Sequence, residues 1–342
     1  MLHGDELRLV TDVPGQLAIL RQSIKQNIKL DTRPGFSDRL EYTIDRANAS
    51  GNENHFQGLA VLPDGVHYVA SGSNWKTGRG DVFAFRIEAG ARAGVSLLTR
   101  SLDFPFWHTG GIDCWSDLVV VPAERPRFGR DFPGRFAGRA NPPESATDDS
   151  AIYFLQGATL EVQPPPLRIT RPGVLATSAG LTRLHDGRFL TIVLAQTEPG
   201  RVLVDAYISL STALHEGFPG APVWSEQVPI TTLDHYQSIS LHTDESGVVF
   251  LVGLAGESRA RIDAFQLGSA LSPPSSWTRF ESITVNVGPA DCSAGGCVAA
   301  LEGALRLAAI AKFRAVKSKQ LVLTRFAPPL LAFAPIPLTP VG

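Results

Sequence analysis

Three of the chain's eight histidines stand at the head of similar short segments. These are His55-Phe56-Gln57-Gly58-Leu59-Ala60-Val61-Leu62, His108-Thr109-Gly110-Gly111-Ile112-Asp113 and His235-Tyr236-Gln237-Ser238-Ile239-Ser240-Leu241. Two further copies open on hydroxyl residues, at Thr177 and Ser293. Imidazoles brought together from equivalent places in a repeat offer two chemistries. With the carboxylates Glu124 and Glu257, expected at the ends of the strands that follow, His55, His108 and His235 would hold a divalent transition metal and leave positions for water and substrate. Without metal, one imidazole would serve as general base while a carboxylate orients it. A third reading needs no ligand, because strand-start histidines can hydrogen-bond the neighbouring repeat's backbone and tie the units together. All three stay open at this level.

Other residues complete the candidate site. Two positions after each copy begins, where side chains return to the same face of a strand, the residues are Gln57, Gly110, Ala179, Gln237 and Gly295. Small and amide residues there leave room for a ligand and offer groups to orient it. Gln57, Thr177, Gln237 and Ser293 are therefore candidate ligand-binding residues. Asn74 joins them from the end of a second strand, and Trp107 as an aromatic surface beside the second histidine. Asp113, five residues after that histidine, is a candidate buried partner. Arg79-Gly80-Asp81 matches an adhesion tripeptide but falls at the entrance to a strand.

The copies begin at residues 55, 108, 177, 235 and 293, so the steps run 53, 69, 58 and 58. A period on the order of 50 residues, filled with short strands, is the signature of a β-propeller. Each unit reads as strands joined by turns such as Asp64-Gly65 and Asp186-Gly187, and Asp-Gly between apolar runs is a strong hairpin signal. The fold expected is all-β, a five-bladed β-propeller with an N-terminal helical extension, its ring closed by an N-terminal strand. Residues 1–38 form the extension, with an amphipathic helix over 16–30 carrying Leu17, Leu20, Ile24 and Ile28. Residues 39–326 form the propeller. Residues 39–46 alternate with period two and supply the closing strand, which removes an open sheet edge. The long step of 69 is explained by an Arg-, Pro- and Gly-rich insertion at 124–150, expected to be a mobile lid over the histidine face. A proline-rich tail fills 327–342.

Composition narrows the function classes. A formal net charge of −2 supplies no basic surface for nucleic acid. No run of about 18 apolar residues is present to span a bilayer. The first ten residues carry no secretory leader pattern, so the expected location is cytoplasmic, or secreted with the leader absent from this sequence. Three cysteines are too few for a disulfide scaffold.

The pattern His-x-Gln-Gly at 55–58, His-x-Gly-Gly-Ile at 108–112 and Val-Pro-Ala-Glu at 121–124 resembles uncharacterised bacterial five-bladed β-propeller proteins, over about residues 55–326. The resemblance concerns architecture and brings no activity with it. A ring of channel histidines is also similar to the metal site of carotenoid-oxygenase-type propellers, which have more blades and a fuller histidine set. Five-bladed glycosidases place acidic residues at the inner-strand positions; the equivalent positions here are not acidic. The near-identical short repeats of five-bladed lectins are absent. The resulting expectation is a monomeric small-molecule enzyme of lyase, isomerase/cyclase or hydrolase type, with one site at the histidine-lined mouth. The alternatives are a non-catalytic ligand- or carbohydrate-binding propeller and a protein-interaction platform.

Overall fold

Runs of Val, Ile, Leu, Phe and Thr cut by tight turns yield strands throughout the computed structural model. It describes residues 10, 12–30, 40–43, 54–74, 79–86, 95–102, 106–125, 148–163, 167–256, 259–268, 272–286, 292, 295–301, 303–310 and 320–326. Helix α1 (Val13–Leu30) comes first, followed by β1 (Leu40–Thr43). The first sheet then runs in chain order through β2 (Asn54–Val61), β3 (His67–Asn74), β4 (Arg79–Arg86) and β5 (Val95–Ser101). The second contains β6 (His108–Thr109), β7 (Asp113–Trp115), β8 (Leu118–Glu124), β9 (Asp148–Gln156) and β10 (Arg168–Pro172). The third is β11 (Ser178–Arg183), β12 (Phe189–Glu198), β13 (Arg201–Ile208) and β14 (Trp224–Pro229). The fourth is β15 (Ser238–Thr243), β16 (Val249–Ala255), β17 (Arg259–Gln266) and β18 (Thr278–Asn286). The last pairs β19 (Gly296–Leu301), β20 (Ala304–Ile310) and β21 (Gln320–Phe326), with β1 antiparallel on the outer edge of β21.

The core lies between sheets, in cyclic order. Val69 and Val82 of the first sheet pack on Val119 and Val121 of the second. Val120 and Ile152 then meet Leu181 and Val193 of the third, and Ile192 and Val204 meet Leu241 and Leu251 of the fourth. Val252 and Leu254 meet Val298 and Leu307 of the last, whose Leu301 and Ile310 return to Phe56 and Phe83 of the first. The arrangement is all-β and propeller-like. Helix α1 covers the seam between the fourth and last sheets, where Leu17 and Leu20 are fully buried, each contributing about 2 kcal/mol of transfer free energy.

The expectation of five equivalent four-stranded blades needs correction. Four sheets have four strands; the second has five. Its inner edge splits into β6 and β7, both paired to β8, because Gly111 between them leaves β8 and bridges to Ser178 of the third sheet. Gly111 donates its N–H to the Thr177 carbonyl, and its own carbonyl accepts the Ala179 N–H. Only residues without a Cβ allow that approach. A Cβ on Gly111 would lie 1.8 Å from the Gln237 carbonyl oxygen, and one on Gly110 2.2 Å from that of Thr177.

Most of the insertion, residues 126–147, lies outside the described residues, as do the tail at 327–342 and most of the extension before α1. No helix among the described residues is long and apolar enough to cross a membrane.

Candidate functional site

His108 and Glu124 face each other because the register of β6 on β8 places them directly opposite, where cross-strand side chains touch. The His108 Nδ1 lies 2.7 Å from Glu124 Oε1. Gln57 reaches the same imidazole from the first sheet. The pairing of β2 with β3 slips between Phe56 and Gly58, leaving Gln57 as the extra residue of a bulge, a device that re-aims a side chain. Its Nε2 stands 3.1 Å from His108 Nε2.

The surrounding bonds assign every donor along this path. Thr109 N–H donates to Ser73 Oγ (3.2 Å), and Ser73 donates to Gln57 Oε1 (2.9 Å). The Gln57 amide therefore turns its N–H₂ to His108, which accepts at Nε2 and keeps its proton on Nδ1, pointing at Glu124. Glu124 Oε2 accepts the Ala176 N–H at 3.1 Å. Gln57 and Glu124 are each 7% exposed and Ser73 is fully buried. The path thus joins the first two sheets and ends on a carboxylate held by two donors, and charge-assisted bonds of this kind are worth about 1.5–3 kcal/mol each.

His235 comes from the loop ahead of β15. Burial, the larger influence, pushes its imidazole below the ordinary value, while Asp234 and Glu124 pull it back up. Its Nε2 is buried and meets no hydrogen-bond partner among the described residues. Asp234 Oδ1 accepts the His235 backbone N–H at 2.7 Å. The structure therefore brings Gln57, Ser73, His108 and Glu124 into one hydrogen-bonded group, with the Glu124 charge also acting on His235.

Other candidates fall differently. Thr177 is half-buried and donates its hydroxyl to the Leu194 carbonyl at 3.0 Å. Gln237 is half-buried, with its backbone carbonyl against Gly111. Trp107, expected as a ligand surface, is 1% exposed and sits edge-on to His108, ring centroids 5.8 Å apart. It backs the imidazole instead of facing the opening. His55 pairs in register with Ser73, and Asn74 with Asn54, but their side chains lie outside the described residues. So do Glu257 and Ser293.

Of the residues expected to hold a metal, only His108, His235 and Glu124 have described side chains. Both ring nitrogens of His108 are engaged by protein groups. Among the described residues, no three His, Cys, Asp or Glu side chains gather as metal donors. The residues present do not fit a divalent ion at His108 without breaking the path from Ser73 to Glu124.

Asp113 is at the centre of the ring. One of its oxygens accepts the N–H of Leu181 at 3.0 Å and that of Leu241 at 2.9 Å, binding the inner strands of three sheets. Burial, opposed by these amides, pushes its carboxyl up to about 7. Sequence reasoning missed a recurring pair on the third and fourth strands. Ser101 donates to Asp81 (2.7 Å), Ser225 to Asp205 (2.5 Å) and Ser282 to Asp263 (2.6 Å). The signal was present in Asp81-Val82-Phe83, Asp205-Ala206-Tyr207 and Asp263-Ala264-Phe265. It also explains the adhesion-like tripeptide, whose aspartate is 9% exposed and turned to Ser101.

No family model matches the chain, and no curated protein matches it. Solved structures share the strand arrangement at low identity. A thermostable family-43 glycoside hydrolase is 11% identical with a TM-score of 0.45, over 83% of this chain and 91% of that one. A hypothetical protein from Leishmania major is 15% identical with a TM-score of 0.43, over 89% and 94%. The GH43_1 enzyme of Xanthomonas citri in complex with xylose is 10% identical with a TM-score of 0.47, over 91% and 92%. Likeness at this level concerns the arrangement of strands; the chemistry of the site rests on its own residues.

Proposed function

We propose that the chain is a small-molecule enzyme with one active site at the mouth where Gln57, His108, Glu124 and His235 meet. The propeller-like packing of the sheets gives the site a rigid frame. The observation that carries the reading is the fully oriented path from Ser73 through Gln57 and His108 to Glu124. A neutral imidazole with its proton aimed at a carboxylate is the arrangement of a general base. When a ligand hydroxyl replaces the Gln57 amide at Nε2, His108 can take its proton, and Glu124 stabilises the imidazolium that forms. His235, whose buried Nε2 meets no partner among the described residues, is the second group able to accept from a ligand that reaches it or return a proton to it. Proton transfer of this kind serves hydrolase, lyase and isomerase chemistry alike.

A ligand-holding site without turnover is supported by one observation: the Gln57 amide already occupies His108 Nε2. One experiment separates the readings. Purified protein is assayed against chromogenic esters, phosphates, glycosides and lactones, beside His108→Asn and Glu124→Gln. Turnover lost in both folded variants supports the enzyme. Turnover equal to the parent in both would overturn it. No turnover by any form, with both variants losing cooperative unfolding, would make the path a tie between blades.

A further inference from the structure

Behind His235 stands a second set of charged side chains that the proposed chemistry does not use. Asp263 is fully buried and accepts three donors. They are the Tyr236 hydroxyl at 2.6 Å, the Ser282 hydroxyl at 2.6 Å and the Arg261 Nε–H at 2.7 Å. The guanidinium of Arg261 then extends outward, and its NH2 group bonds Asp234 Oδ2. Asp234 in turn accepts the backbone N–H of His235. Asp81 and Asp205 hold the equivalent serine bonds in the first and third sheets, so the serine–aspartate pair belongs to the repeat. Asp205 also takes an arginine, Arg171, but that guanidinium goes on to the Leu175 carbonyl; the onward link to a second carboxylate, through Arg261 to Asp234, is the feature of the fourth sheet.

The inner half of the bridge compensates the buried Asp263 carboxylate, but its outer half, to Asp234, adds little to stability. The Arg261 and Asp234 side chains are 41% and 29% exposed, and solvent-exposed ion pairs contribute little. What the bridge does supply is direction. The planar fork bonds Asp263 through Nε and Asp234 through a terminal nitrogen, so it fixes one carboxylate relative to the other. Asp234 is thereby kept against the loop that carries His235. The charged groups acting on that imidazole are Asp234 from its own loop and Glu124 from β8, with Arg261 acting through Asp234.

We propose that Arg261 is a positioning residue for the site: by bridging Asp263 to Asp234 it holds and partly neutralises the carboxylate beside His235, and so sets the charge state in which His235 meets a ligand. The role rests on the mouth being the functional site, yet it can be read without any substrate. Histidine ring carbons are labelled with ¹³C in the whole chain, the His235 signal is assigned by its loss in His235→Asn, and its titration midpoint is followed by NMR. Asp234→Asn should lower the midpoint, because a negative neighbour is lost while the Asn oxygen still accepts the backbone N–H. Arg261→Gln should raise it, because the Asp234 charge is no longer shared with a guanidinium. Arg261→Lys, which keeps the charge but cannot span both carboxylates, should fall between Arg261→Gln and the parent. The proposal is overturned if Asp234→Asn and a folded Arg261→Gln leave the midpoint where it was, or move it the same way. Should Arg261→Gln fail to fold, Asp234→Asn and Arg261→Lys decide, and unmoved midpoints in both overturn it. These midpoints stay readable even if Glu124→Gln retains turnover and the enzyme reading falls.

Discussion

Gln57 and His108 come from different sheets, yet their side chains meet at 3.1 Å, amide nitrogen to imidazole Nε2. The contact exists because β2 carries one residue too many against β3. Remove the extra residue, and Phe56–Gly72 and Gly58–Ser71 become consecutive pairs of a regular ladder, so the later register survives while the re-aimed amide is lost. Gln57→Ala keeps the bulge and deletes only the donor. It and the deletion of Gln57 should both leave the fold intact and change the ligand-dependent step. Circular dichroism and the substrate assay together check this; a folded deletion variant of parental activity would sink it.

Glu124→Gln should reduce turnover by about 10²–10⁴-fold, the usual span for losing one partner in acid–base catalysis. It should also cost about 1–3 kcal/mol, because the new amide must turn its N–H₂ to either the His108 Nδ1 proton or the Ala176 N–H. Urea unfolding read beside kinetics checks both halves. A variant of parental activity would remove Glu124 from the chemistry.

Gly111→Ala should be severely destabilising, by about 3 kcal/mol or more, since no flexible side chain is available to yield at the Gln237 carbonyl. Gly220→Ala, where a Cβ meets nothing within 4 Å, should stay within about 0.5 kcal/mol of the parent. Equal midpoints in urea for the two variants would contradict the close approach of the inner strands.

Two buried groups should make stability depend on pH in opposite senses. Asp113 lies at about 7 in the native state against an ordinary 3.8. The native state therefore holds its proton more tightly, and stability falls as pH rises from about 4 to 7, then levels. By linkage the full span is about 4 kcal/mol. Asp113→Asn should remove that fall, and an unchanged slope between parent and variant would refute it.

His242 is lowered to about 4 from 6.5 by burial, which outweighs its bond to Val298. The unfolded chain binds the extra proton, so this group's contribution to stability is lost as pH falls from about 6.5 to 4. In the parent the two trends partly cancel across that interval. His242→Gln should expose the Asp113 trend as a steeper decline with rising pH, measured by urea midpoints at half-unit steps; a shallower decline would be the wrong sign.

How far the residues announced this can be judged from particular elements. The inner strands were legible because the apolar segment and its leading polar residue recur, and Asp186-Gly187 marks its turn, Gly187 taking a φ of +86°. Pairing of His108 with Glu124 was within reach, since both were expected at one mouth. The role of Gln57 was only half legible: alternation identified its face, but a bulge depends on partner-strand register and leaves no local mark. Asp234 and Arg261 were missed because their link joins residues 27 apart across a strand pair. The break at Gly110 and Gly111 read as room for a ligand. In fact the space is filled by backbone of the neighbouring sheets.

That filling decides how traffic through the molecule must run. With Gly111 against Gln237, a Cβ on Gly295 only 3.5 Å from the Gly58 carbonyl carbon, and Asp113 bonded to two further strands, the axis is plugged by the protein's own main chain. Among the described residues the inner strands thus close on one another. If the proposed enzyme reading holds, substrate and product share one route to His108, and added product should inhibit competitively.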